Sequence, residues 1–101
     1  MSKNFAYAEL FDIYGNLLTD RQKENFSSFY SDDLSLGEIA ENLGITRQSV
    51  LDSLKKSEKQ LATYEETLKI SEKNKHLTEV LQELKNSDEK LYEKFIMILG
   101  K

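Results

Sequence analysis

The sixteen residues SLGEIAENLGITRQSV, 35–50, restrict what this chain can fold into more than any other stretch of it. Ser35 and Glu38 stand three apart just ahead of an apolar pattern. At that spacing each side chain satisfies the other residue's backbone N–H at a helix start. Ile39, Ala40 and Leu43 mark the inward face of a short helix. Gly44 follows where a left-handed residue stops a helix, Ile45 plugs the corner, and Thr46 is placed to cap a second helix. Val50 and Leu54 pack back from that helix, which crosses over Ala40, so Ala40 must be small. The spacing predicts two helices meeting at a steep angle across a short glycine turn, a helix-turn-helix.

The flanking sequence is helical by the same reasoning. Leu10, Ile13, Tyr14, Leu17 and Leu18 fill the i, i+3, i+4, i+7, i+8 template, predicting an amphipathic helix from about Asn4 to Leu18. Gly15 lies inside it at a cost of about 1 kcal/mol relative to alanine. Thr19 and Gln22 form another capping box, opening a helix over 20–31 that buries Phe26, Phe29 and Tyr30. Asp32-Asp33 breaks the pattern as turn and cap residues. Beyond Thr46, the positions Val50, Leu54, Ser57, Leu61, Tyr64 and Leu68 step by 4 and 3, so the second helix of the motif is expected to run to about Ile70. The polar SEKNK at 71–75 is expected to interrupt it. Leu77, Val80, Leu81 and Leu84 then make a further amphipathic stretch. Asn86-Ser87-Asp88 starts a last one carrying Leu91, Tyr92, Phe95, Ile96 and Leu99.

The expected architecture is all-α. A helix-turn-helix domain spans 1–70 with its motif at 35–56, and a C-terminal helical extension over 71–101 packs on the same core or on a partner. With 39% hydrophobic residues, ten aromatics and no proline, the chain is set up to fold as a helical protein rather than stay disordered. No cysteine is present, which excludes disulfides and thiolate metal sites and fits a reducing cytoplasm. The longest apolar run, Phe95–Leu99, is far short of a membrane span, so no membrane insertion is expected.

Charge is unevenly distributed. The formal net charge is −4, yet residues 45–60 hold four cations, Arg47, Lys55, Lys56 and Lys59, against Asp52 and Glu58. Residues 1–44 hold 3 basic and 8 acidic side chains. The one locally positive segment is therefore the second helix of the motif, where nucleic-acid readers place the helix that enters a groove. In the frame set by Ala40, Gly44 and Val50, the outward residues are Thr46, Arg47, Gln48, Leu51, Asp52 and Lys55, with Lys56 and Lys59 further along. Arg47 suits guanine and Gln48 suits adenine. Asp52 is repelled by phosphate unless it accepts from a cytosine amine. Leu51 suits a thymine methyl or, equally, a small protein-binding patch. Leu61, Tyr64 and Leu68 lie beyond the compact motif and are expected to be covered by the C-terminal helix or by a second copy in a homodimer.

Catalytic chemistry is not evident. His76 is the single histidine and sits in a polar segment, where a solvated side chain is the ordinary outcome. No glycine-rich phosphate loop or histidine pair is present, and the carboxylates interleave with lysines at helical spacing. No catalytic residue, metal or cofactor is expected.

Residues 17–65 also carry a resemblance. LLT-x-x-Q at Leu17–Gln22, FYSDDLSLGEIAE at Phe29–Glu41 and ITRQSVLDSLKKSEKQL at Ile45–Leu61 resemble the YlxM-like family of small bacterial proteins, whose helix-turn-helix is similar to region 4 of sigma factors. The resemblance implies a non-enzymatic regulatory role linked to the signal recognition particle pathway, with that particle's protein or RNA as partner. It brings no catalytic residues. DNA binding as a transcriptional regulator is the alternative function it leaves open.

Overall fold

The computed structural model describes residues 2–100. Six α-helices fill most of that length: α1 (Phe5–Tyr14), α2 (Asp20–Tyr30), α3 (Leu36–Leu43), α4 (Arg47–Leu68), α5 (Ile70–Ser87) and α6 (Glu89–Ile98). A 3-10 turn, Gly15–Leu17, joins α1 to α2, and no strand occurs among the described residues. The chain divides into two compact units, one ending at Lys69 and the other beginning at Ile70.

In the first unit α4 is the central rod, touched by α1, α2 and α3. Val50, Leu54, Ser57 and Leu61, spaced by 4, 3 and 4, are fully buried along one side of it. Against them lie Tyr14, Leu18, Phe26, Phe29, Leu36, Ile39 and Ala40. The Phe11 ring stacks on Phe26 at 4.4 Å, and Phe26 stacks on Tyr30 at 4.2 Å. This aromatic column joins α1 to α2.

Three polar contacts run beside the apolar ones where α2 meets α4. Gln22 donates to Gln60 at 2.7 Å, Asn25 to Ser53 at 3.0 Å, and the Tyr30 hydroxyl to Glu58 at 2.8 Å. Rungs of this kind fix the register of two helices that apolar packing alone would let slide. Burial pushes the Tyr30 phenol up to about 12, with Glu58 reinforcing the shift and the Asn4 N–H opposing it.

Both capping boxes form. The Gln22 N–H donates to the Thr19 hydroxyl at 3.2 Å, and the Thr19 N–H donates to the Gln22 side chain at 3.0 Å. At α3 the reciprocal distances between Ser35 and Glu38 are 3.1 and 3.0 Å. The Ser35 N–H holds the Glu38 carboxyl below its ordinary range. Between α2 and α3, Asp33 adopts a left-handed φ of 58° and pairs with Lys3.

The structure differs from the sequence expectation in three places. The first helix does not run to Leu18. It leaves α geometry at Tyr14 and tightens into the 3-10 turn, which swings Leu17 out to 55% exposure while Leu18 stays buried. The Phe11 ring explains the turn's glycine: a Cβ on Gly15 would lie 3.0 Å from that ring. Second, α4 ends at Leu68 rather than Ile70, because Lys69 takes a left-handed φ of 54°. Third, the polar segment 71–75 does not break the chain. It lies inside α5, since Ser, Glu, Lys and Asn without Gly or Pro continue a helix at small cost.

Candidate nucleic-acid interface

The corner between α3 and α4 is built as its residues require. Gly44 takes φ 67°, ψ 34° and ends α3, its N–H turning back to the carbonyls of Ala40 and Glu41. The Ile45 N–H also donates to Ala40, at 3.1 Å, the pattern of a left-handed helix stop. Thr46 is extended, and its hydroxyl accepts from the Ser49 N–H at 3.0 Å, capping α4. Ala40 and Val50 are both buried, Val50 completely. The two helices are thus clamped across a three-residue corner, Gly44 to Thr46, and the direction of every side chain on the first turns of α4 follows from that clamp.

Thr46, Arg47, Gln48, Asp52, Lys55, Lys56 and Lys59 are all exposed. Gln48, Asp52, Lys55 and Lys59 are spaced by 4, 3 and 4, so they form one stripe along α4, on the side away from buried Val50, Leu54 and Leu61. Arg47 flanks the stripe at its N-terminal end and Lys56 at its edge. The face carries four cations and one carboxylate, and the second carboxylate of the segment, Glu58, is turned to Tyr30.

Two details change what this face can do. The Gln48 amide donates to the Asp52 carboxylate at 2.8 Å, one turn along the helix. That bond uses the donor with which Gln48 would read adenine, and it holds the Asp52 charge in the middle of the stripe. Leu51, read from sequence as outward, is half-buried. It packs on the core and forms the floor of a depression of about 350 Å³ with Leu36, Arg47 and Gln48. Leu36 was not among the residues that sequence spacing singled out. Its place in the first turn of a helix facing α4 was the available signal.

The residues Leu61, Tyr64 and Leu68 separate. Leu61 is sealed in the core of the first unit. Tyr64 is half-buried, with its ring 6.0 Å from that of Tyr14 and its hydroxyl donating to the Leu17 carbonyl at 3.4 Å. Leu68 is 42% exposed. The N-terminal segment of the same unit therefore covers part of Tyr64, while Leu61 offers no free apolar surface.

No group of three or more His, Asp or Glu side chains among the described residues has the arrangement of a metal site. Among those residues no helix is long and apolar enough to cross a membrane.

Comparison with known proteins agrees with this geometry. A family profile described as "Putative helix-turn-helix protein, YlxM / p13 like" matches residues 1–98. UPF0122 protein BH2485 of Halalkalibacterium halodurans is 42% identical over 90 residues, covering 89% of this chain and 83% of the relative. UPF0122 protein YlxM of Bacillus subtilis (strain 168) is 46% identical over 76 residues, 75% of this chain and 69% of the relative. A match over nearly the whole length, on a chain whose capped glycine corner is in place, leaves one assignment: this chain belongs to the YlxM / p13-like family of helix-turn-helix proteins.

Proposed function

We propose that this protein is a non-enzymatic regulator in the signal recognition particle pathway, and that α4 holds structured RNA by its phosphate backbone. The resemblance noted in the sequence supports the pathway. The observation that carries the choice of RNA is the Gln48–Asp52 hydrogen bond at 2.8 Å. A reading helix with its adenine-reading amide occupied and a carboxylate at its centre is poorly equipped to read bases in a DNA major groove. Exposed Arg47, Lys55, Lys56 and Lys59 remain suited to phosphates, and structured RNA is recognised mainly by shape and backbone. Phosphate contacts position a protein without reading sequence.

The test is a fluorescence titration of the full chain against signal recognition particle RNA and against duplex DNA of equal charge, at several salt concentrations. RNA is expected to bind more tightly. Asp52→Asn is expected to strengthen binding to both, because it removes a negative charge from the stripe. Failure to bind RNA at low salt contradicts the proposal.

One observation favours DNA as a second reading. Arg47 and Leu51 line the same depression, which puts a guanine-binding guanidinium beside an apolar floor suited to a thymine methyl. On that reading, Arg47→Ala weakens binding to a preferred sequence by about 1–3 kcal/mol and leaves random DNA nearly unaffected.

A further inference from the structure

The second unit has amphipathic helices but no sealed core. Every buried apolar side chain among the described residues lies in the first unit. In α5 and α6, Leu81, Leu84, Tyr92 and Ile96 are only half-buried. Leu77 and Val80 on α5, and Leu91, Phe95 and Ile98 on α6, are exposed, Val80 to 58% and Ile98 to 79%. They recur at i, i+3 on one helix and i, i+4, i+7 on the other, so each helix presents an apolar stripe rather than scattered residues. Single exposed leucines are ordinary on a protein surface, but stripes on two touching helices are not.

Charge points to the occupant. Residues 70–101 carry 6 basic and 6 acidic side chains, whereas residues 1–69 carry 8 and 12. The apolar stripes thus sit on the one part of the chain that meets its own copy without net repulsion.

We propose that the α5–α6 helix pair is a self-association surface, on which two copies of this chain bury Leu77, Val80, Leu91, Phe95 and Ile98 in one closed two-fold interface. Such pairing makes a four-helix arrangement from two helix pairs, with the same patch used on both sides. It is independent of what α4 binds.

Sedimentation velocity of the full chain over a micromolar concentration series tests it. A concentration-dependent dimer is expected, and Val80→Glu and Phe95→Glu are each expected to raise its dissociation constant roughly tenfold or more. Hydrogen exchange on the unaltered protein gives a second readout, in which protection of α5 and α6 amides rises with concentration while that of α1–α4 does not. A monomer at every concentration would overturn the proposal and leave the stripes to a different protein. A dimer indifferent to both substitutions, or concentration-dependent protection confined to residues 5–68, would overturn it as well.

Discussion

Gly44 is the residue on which the orientation of α4 turns. Its φ of 67° is a conformation that side chains with a Cβ disfavour, and no atom lies within 4 Å of the place a Cβ would take. The cost of Gly44→Ala is therefore backbone strain alone, about 1–2 kcal/mol, and Gly44→Asn should recover much of it. Urea unfolding of the three proteins measures both. Tyr30 gives a separate residue-level expectation. Its phenol is pushed up to about 12 by burial, so the folded state keeps a proton that the unfolded state releases near its ordinary value of 10.0. The stability tied to that proton is fully present below pH 10 and is lost as pH rises towards 12. Alkaline absorbance titration, read as the difference between the unaltered protein and Tyr30→Phe, should show this phenol ionising well above pH 10 while the protein remains folded.

At the level of elements, the helix-turn-helix was legible because local chemistry and packing agree there. Capping boxes, a left-handed stop and a small residue under a crossing helix are each visible in sequence, and all point to one corner. Where the sequence misled, tertiary contact or a single backbone angle decided. The 3-10 turn carries a glycine because the Phe11 ring occupies the space its Cβ would take, a contact that periodicity does not encode. Composition predicts the break after α4 at the polar run 71–75, but polarity does not stop a helix; Lys69 stops it by its own left-handed angle. Leu51 is harder still, since an apolar residue between outward positions can pack sideways, and only the position of α3 shows that it does. Asn25 was equally hidden. It is 1% exposed, and its carbonyl oxygen has no hydrogen-bond partner among the described residues. Asn25→Asp places a carboxylate in that position. It should destabilise the fold by about 3 kcal/mol or more at neutral pH. The loss should shrink as pH falls from neutrality towards the ordinary aspartate range, because the buried acid takes up its proton above that range. Thermal unfolding at acid and neutral pH checks the sign.

Across the whole molecule, a net charge of −4 and the proposed role of α4 as a nucleic-acid-binding helix are reconciled by where the charges lie. The acidic excess falls chiefly in residues 1–44, and α4 carries the cations on a face of its own. Attraction to phosphate is then local and modest, so affinity should depend strongly on salt and collapse when a few lysines are lost. The most direct test is the slope of log affinity against log salt for signal recognition particle RNA, compared between the unaltered chain and Lys55→Ala/Lys59→Ala. Each phosphate contact removed should make the slope shallower by about 1, giving a change of about 2 with helicity unchanged. An identical slope in the two proteins would contradict the assignment of α4 as the surface that meets nucleic acid.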